Sequence, residues 1–253
     1  HHQTQGGRAA CAAFEPAQKG GAVRRVDPVR SRVYSSALAL TAALVAGCAA
    51  TGNGAVGTPD SQEAQRLQAA TAPVRAAQVT FDWNMTDRDA RFSGRGVLRI
   101  DSGYRARVDL FGPRGETLAA AVVVDGSMRV VPGAAEQMLP PAAMLWASLG
   151  VFRAPADAPL TGTTADDGGT SLEYSRDGIR WQFRFDGDRL VGTEWTDGSG
   201  RRTVELTGNA DPAFPGQAVF RDWTEFRELT LRVTDVEERA AFEPDVWILP
   251  GEH

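Results

Sequence analysis

Histidine is missing from the whole interior of this 253-residue chain. The three histidines are His1, His2 and His253, at its two ends. Ser-His-Asp triads and the usual histidine-based zinc sites need an imidazole, so the sequence excludes both. The two cysteines, Cys11 and Cys48, are too few for a four-cysteine zinc site, and no Gly-x-Ser-x-Gly nucleophile elbow is present. We therefore expect a protein that is not an enzyme and that uses neither a metal nor a cofactor.

Basic residues are scarce in most of the chain. Its composition, 42% hydrophobic and 23% charged, is typical of a globular protein, and its formal net charge is −5. Residues 1–47 carry six Lys/Arg and two Asp/Glu, a balance of +4, whereas residues 48–253 carry 21 and 30, a balance of −9. Nucleic acid phosphates need a basic surface, so we expect no nucleic acid partner.

The first 47 residues have the features of an N-terminal extension followed by an export signal. Four arginines within 24–32 precede the uncharged segment 33–44, which is too short to span a bilayer comfortably. The segment leads into Leu44-Val45-Ala46-Gly47-Cys48, which resembles the bacterial lipobox. This resemblance implies that Cys48 is lipidated, with enough acyl chains for firm anchoring. Because Ala49 and not Asp follows, it also implies the outer membrane, with the protein facing the periplasm.

Three parts follow from this organisation. Residues 1–47 are the extension and lipoprotein signal peptide, 48–58 are the lipidated cysteine and a flexible tether, and 59–253 are the folded domain. The domain is predicted to begin with a helix over 59–71, capped by Thr58 and limited by Pro73.

Period-two alternation of apolar and polar residues dominates the rest of the domain. Val79, Phe81 and Trp83 show it, as do Ile179, Trp181 and Phe183. Asp-Gly and Gly-Pro turns separate these runs. The pattern predicts an antiparallel meander of roughly nine to eleven strands, with one apolar and one polar face.

A helical stretch interrupts the strands. Two short helices are predicted over 134–139 and 141–152, followed by a loop over 154–169. The second helix is apolar on most sides, which is typical of a helix that covers an apolar surface. A closed barrel, two stacked sheets, or a curved sheet wrapped around its helices would each bury the apolar face of the strands.

The order of these elements resembles the LolA/LolB-like superfamily of periplasmic lipoprotein carriers. The resemblance depends on Phe92-Ser93-Gly94-Arg95-Gly96, on the strand and turn over 105–115, and on the helical start at 134–139. It covers most of residues 60–250, and the lipobox favours the anchored, LolB-type branch. The fold that it implies is mainly β with a few helices (α+β): an incomplete, strongly curved antiparallel half-barrel plugged by short helices.

The function implied by the resemblance is binding without catalysis. The protein would hold acyl chains of lipoproteins or lipids in an apolar cavity, as a carrier or receptor in outer-membrane lipoprotein localisation. Its partners would be acylated lipoproteins or lipid, the outer membrane and a periplasmic carrier protein. The alternative is a non-catalytic assembly or structural lipoprotein of the envelope that binds a protein partner through the surface of its β-domain. A removable apolar ligand would favour the first hypothesis, and a dry, filled core the second.

The candidate site residues are apolar side chains on the strands and in the helical stretch. Ordinary core packing is the alternative role for each of them. LolB presents an exposed leucine at the turn over 112–115, where this chain has Arg114, a residue that meets anionic headgroups but does not insert like leucine. Pro113 and Arg114 are the expected membrane-facing residues. The candidate cavity lining is Val108, Leu110, Val122, Val124, Met144, Leu145, Leu149, Trp181, Phe183 and Phe185.

Overall fold

A computed structural model describes residues 57–131, 138–249 and 251 of the chain. They form one twelve-stranded antiparallel sheet with two α-helices and one short 3-10 helix, Pro244–Trp247. The helices are α1 (Ser61–Thr71) and α2 (Ala142–Ser148). The strands are β1 (Ala76–Asp87), β2 (Ala90–Asp101), β3 (Arg105–Phe111), β4 (Thr117–Val124), β5 (Ser127–Val130), β6 (Leu160–Asp166), β7 (Gly169–Arg176), β8 (Ile179–Asp186), β9 (Arg189–Asp197), β10 (Gly200–Asp211), β11 (Phe214–Asp222) and β12 (Arg227–Arg239).

Strands that follow one another in the chain lie side by side in the sheet, except for β5 and β6, which are its two edges. In the middle β1 pairs with β12, so the spatial order is β5-β4-β3-β2-β1-β12-β11-β10-β9-β8-β7-β6. The sheet is not closed, because its edges β5 and β6 do not pair with each other. This confirms the expected half-barrel class.

The structure has one strand more than the upper end of the expected range. The additional strand, β6, lies within 154–169, the part predicted to be a loop. Its sequence, LTGTTAD, has one large apolar side chain and therefore shows no apolar alternation. An edge strand needs a partner on one side only, and β7 supplies it.

Helix α1 begins two residues later than predicted. The Asp60 side chain, not Thr58, caps it by accepting hydrogen bonds from the backbone N–H groups of Gln62 and Glu63, both at 3.0 Å. Aspartate is a strong N-cap because its carboxylate satisfies N–H groups that have no partner within the helix. The helix buries Ala64 and Leu67 against the inner face of the sheet.

Helix α2 is shorter than the predicted 141–152. Gly150 ends it with a φ of +78°, a conformation that glycine adopts without strain. The N–H groups of Gly150 and Val151 donate to the carbonyl oxygens of Ala147 and Trp146, which satisfies the end of the helix. Of the other predicted helix, 134–139, most lies outside the described residues.

Two glycines of β2 make room for aromatic rings on β1. Gly96 lies opposite Phe81 and Gly94 opposite Trp83. A Cβ atom at Gly96 would lie 2.2 Å from the Phe81 ring, so any other residue would displace that ring. The Trp83 indole N–H reaches past Gly94 and donates to the carbonyl oxygen of Phe111 at 3.2 Å. Glycine and aromatic residues across a strand pair thus fix the register of β1 and β2.

The two faces of the sheet carry different cores. The inner face holds the main hydrophobic cluster, together with α1 and α2. On the outer face, Trp247 and Leu249 of the C-terminal segment cover β4. Arg107 holds this segment by donating to the carbonyl oxygens of Val246 and Ile248, at 2.8 and 3.2 Å. The sequence analysis did not predict this cover.

Candidate functional site: the apolar interior

The inner face of the sheet and segment 138–153 enclose an apolar interior. About 20 Å³ of free space remains within it. Strands from the middle of the sheet and the helical segment share the lining. The lining residues are Val79, Phe81, Leu98, Val108, Leu110, Leu139, Leu145, Ser148, Leu149, Phe214, Pro215, Ala218, Leu229, Leu231 and Val233.

The size of the free space shows that the interior is packed in this conformation. A volume of about 20 Å³ holds roughly one water molecule. Pockets that hold small-molecule ligands are on the order of 300–1,000 Å³. Binding of an acyl chain therefore needs side chains or backbone of the interior to move apart.

The lining offers a ligand almost nothing polar. Ser148 is the one polar residue in it, and its hydroxyl donates to the carbonyl oxygen of Met144 at 2.8 Å within α2. That hydroxyl is therefore satisfied without a ligand. Such a lining suits hydrocarbon and is unsuited to charge.

A second part of the interior is aromatic. The Phe152 ring lies 4.7 Å from the ring of Phe183, 5.3 Å from Phe185 and 6.3 Å from Tyr174, between ring centroids. The Phe152 N–H donates to the hydroxyl of Thr71 at the end of α1, at 3.1 Å. Burial in these apolar surroundings raises the pKa of the Tyr174 phenol to about 12.

Four residues attach segment 138–153 to the β3–β4–β5 side of the sheet, and we call them the latch: Tyr104, Asp125, Trp146 and Arg153. The Trp146 indole N–H donates to the carbonyl oxygen of Asp125 at 2.6 Å. The Arg153 guanidinium donates to the Asp125 carboxylate at 3.1 Å and lies 3.9 Å from the Tyr104 ring centroid. The rings of Tyr104 and Trp146 meet edge to face at 6.0 Å. Tyr104 and Arg153 are half-buried and Asp125 is exposed, whereas Trp146 is buried in the core, so the latch joins the interior to the surface.

Four of the predicted lining residues line the free space: Val108, Leu110, Leu145 and Leu149. Met144 is buried in the same cluster without bordering the free space. Phe183 and Phe185 belong to the aromatic part. Trp181 is half-buried, with its ring stacked on that of Trp195 at 6.1 Å. Whether any of these residues contacts a ligand stays a prediction.

Val122 and Val124 are placed away from the interior. Val122 packs on the outer face in the cluster with Trp247, and Val124 is 41% exposed. Val108 pairs with Ala121, so Ala121 and its alternate neighbours Ala119 and Val123 face inwards. Strand β4 is apolar on both faces, and a continuous apolar run does not reveal which residues point to which side.

Sequence reasoning missed the contribution of β11 to the lining, which is made by Phe214, Pro215 and Ala218. Apolar alternation predicts strands at the positions of β11 and β12, but it does not predict that β12 pairs with β1 and so brings β11 close to the first strands. Phe214 and Pro215 also line a surface pocket of about 200 Å³, so this pocket adjoins the interior.

The turn that contains Pro113 and Arg114 is exposed, as expected for a membrane-facing element. Its N–H groups are partly satisfied internally, because Gly115 donates to the Gly112 carbonyl and Arg114 to the Glu116 carboxylate, both at 3.0 Å. Membrane contact of this turn stays a prediction. Cys48, the predicted lipidation site, lies outside the described residues.

Metal-binding clusters and membrane-spanning helices are both absent from the described residues. Residues 57–131, 138–249 and 251 contain no group of three or more His, Cys, Asp or Glu side chains arranged to hold a metal ion. Within the same ranges, no helix has the length and apolar character needed to cross a membrane.

Comparison with solved structures identifies the fold. A LolA superfamily protein from Nitrosomonas europaea overlaps 76% of this chain and 99% of its own, at a TM-score of 0.53 and 12% sequence identity. A domain assigned to outer membrane lipoprotein sorting in Vibrio parahaemolyticus overlaps 73% and 94%, at a TM-score of 0.49 and 11% identity. No protein-family model matches the chain, and no curated protein does. The resemblance to the LolA superfamily is thus confirmed for the fold.

Proposed function

We propose that this protein binds acyl chains of lipoproteins or lipids between the sheet and segment 138–153, as a carrier or receptor for outer-membrane lipoproteins. The observation that supports this function best is the lining of the interior, fourteen apolar residues and one internally bonded serine. Apolar surface that leaves water contributes about 25 cal/mol per Å². The fold shared with a LolA superfamily protein supports the same function.

Binding would proceed by exchange of apolar contacts. The side chains of Leu145 and Leu149 now fill the space that an acyl chain would take. When segment 138–153 moves outwards, the acyl chain would replace these side chains against the sheet. Little apolar surface would then be exposed to water in the liganded protein. Without a ligand the open conformation would expose apolar surface and be higher in free energy, and the ligand would shift the equilibrium by its higher affinity for the open conformation.

The anchored location is part of the proposal. Lipidation of Cys48 would hold the protein on the outer membrane, facing the periplasm, where acylated lipoproteins or a periplasmic carrier protein would deliver their chains. The step is binding and transfer, with no covalent bond made or broken. The absence of imidazole from positions 3–252 is compatible with such a role.

Native mass spectrometry of the full chain tests the proposal, before and after delipidation and with an acylated lipoprotein added. We expect a bound acyl species that the lipoprotein displaces. Val108→Thr and Val122→Thr form a matched pair, because both valines lie on strands and are 2% and 1% exposed, on opposite faces of the sheet. The hydroxyl makes the interior more polar only in the first variant, so Val108→Thr should lower acyl occupancy and Val122→Thr should not.

A second candidate function has one observation in its favour. The small free space is what a filled core would show, which favours an assembly or structural role through a protein partner bound at the surface. Absence of any acyl species at micromolar concentrations would contradict the carrier function and support this second one. Equal loss of acyl occupancy in the two valine variants would also contradict binding in the interior.

A further inference from the structure

Two neighbouring hairpin turns at one end of the sheet expose aromatic side chains. We call residues 87–92 and 222–227, the β1–β2 and β11–β12 turns with the residues next to them, the aromatic tip. Phe226 is 74% exposed, Trp223 51% and Phe92 46%. They are three of the six large hydrophobic side chains that are exposed in the described part of the chain. Clusters of exposed apolar residues mark interaction sites more often than single ones do.

The aromatic tip is held by hydrogen bonds of its own. The Arg88 N–H donates to the Phe226 carbonyl oxygen at 3.2 Å, which joins the two turns. The Asp222 carboxylate accepts from the N–H groups of Thr224 and Glu225, at 2.9 and 3.1 Å. Phe226 has a φ of +55°, a left-handed conformation uncommon for a bulky residue. The turn therefore presents the aromatic side chains outwards while several of its backbone groups are already paired.

The charges of the aromatic tip nearly balance, although residues 48–253 carry −9. Residues 87–92 and 222–227 contain three arginines and four carboxylates, a net charge of −1. The Arg201 guanidinium lies 5.8 Å from the Trp223 ring centroid. Ion pairs join Arg227 to Asp87 at 3.3 Å and Arg88 to Glu225 at 3.7 Å. This surface therefore does not fit a partner that binds through opposite net charge.

We propose that the aromatic tip inserts into the interfacial region of a zwitterionic lipid bilayer. Tryptophan and arginine side chains combine apolar surface with polar groups, as membrane interfaces require. The paired N–H groups of the tip lower the cost of leaving water. This contact lies on other hairpins than the Pro113–Arg114 turn, and it needs no ligand in the interior, so it stands apart from the proposed acyl binding.

Quenching of tryptophan fluorescence by vesicles of brominated phosphatidylcholine and phosphatidylethanolamine tests the proposal on the full chain. The uncharged segment 33–44 has no tryptophan, so its own binding to vesicles gives no signal. We expect vesicle-dependent quenching that Trp223→Phe removes. Phe226→Ser should raise the lipid concentration for half-maximal quenching about tenfold, the effect of losing burial of one aromatic ring.

Val74→Ser is the matched control, because Val74 is 80% exposed but precedes β1, at the opposite end of that strand from the tip. It should leave the quenching unchanged. Added salt or phosphatidylglycerol should shift the half-maximal concentration by less than about twofold, since the tip carries a net charge of only −1. The proposal would be overturned if no quenching were observed, or if quenching survived Trp223→Phe. It would also be overturned if Val74→Ser and Phe226→Ser had equal effects. A steep salt dependence would overturn the zwitterionic partner.

Discussion

The interior has two halves that share one cover and differ in how they are filled. The aliphatic half, against β1–β3 and β11–β12, has branched side chains such as Val108, Leu110 and Leu145 and keeps the free space. The aromatic half packs Phe152 against the three rings of Tyr174, Phe183 and Phe185. Aliphatic side chains repack with small changes of rotamer, whereas interlocked rings must move together. We therefore expect the proposed opening of segment 138–153 to occur over the aliphatic half, with Phe152 holding the other end of the segment.

The largest expected effect comes from breaking the aromatic half. Phe152→Ala should lower the free energy of unfolding by about 3–5 kcal/mol, because the ring is fully buried and its removal leaves a cavity among three other rings. Urea titration measures this. Phe152→Leu is the control and should lose less, since it refills part of the cavity. A loss below about 1 kcal/mol from Phe152→Ala would mean that the ring does not hold the segment.

A smaller loss of stability is expected in the aliphatic half. Leu149→Ala should lower the free energy of unfolding by about 2–3 kcal/mol, the lower end of the range for leucine truncations. The reason is that this residue borders existing free space and is not fully buried. The same change should raise acyl occupancy in native mass spectrometry, since it enlarges that space. If Leu149→Ala lowers the free energy of unfolding as much as Phe152→Ala does, the two halves are equally rigid and the contrast between them is contradicted.

The phenol of Tyr174 gives the aromatic half a pH dependence. Its folded pKa is about 12, above the ordinary value of about 10, so the contribution of the protonated phenol to stability is fully present below pH 10. Between pH 10 and 12 the unfolded chain loses this proton first, and stability falls as pH rises, by on the order of 1 kcal/mol at pH 11. Urea titrations from pH 9 to 12 should show a shallower fall for Tyr174→Phe than for the unchanged chain. Identical slopes would show that the phenol is hydrated.

The smallest effect is expected at the latch. Arg153→Gln should lower stability by less than about 1 kcal/mol, because its ion pair with Asp125 is partly exposed. Hydrogen exchange should nevertheless become faster in 142–153 and stay unchanged in β7 and β8, which line the aromatic half. Arg176→Gln is the control, because Arg176 also pairs with exposed carboxylates but does not touch the segment. Equal exchange in the two variants would show that the latch does not restrain the cover.

Much of the sheet follows from the sequence because alternation depends on burial of one face. Eleven of the twelve strands lie where period-two runs or short apolar runs predict them, and the half-barrel class is confirmed. Strand β6 was not predicted, because its sequence has only one large apolar side chain and its Thr and Gly residues are typical of loops. The predicted start of α1 was wrong because two residues that can each cap a helix, Thr58 and Asp60, lie close together in the sequence.

The interior was harder to predict than the strands. Alternation and the family resemblance together predict Val108 and Leu110 as lining residues, and the structure places both beside the free space. Val122 was misplaced because β4 is buried on both faces, and the cause is Trp247, more than a hundred residues away. The β11 side of the lining depends on the pairing of β1 with β12, which no local pattern reveals.

The pairing of β1 with β12 also dictates when the sheet can be completed. Ala76 pairs with Arg239, so the first strand of the domain gains its second neighbour only when the last strand has been synthesised. Two hairpin arrays, β1–β5 and β6–β12, can each form from local contacts, but the pairing between them joins residues about 140–160 positions apart. Such long-range closure is slow, and a chain cut before Arg227 would leave β1 and β11 as open edges.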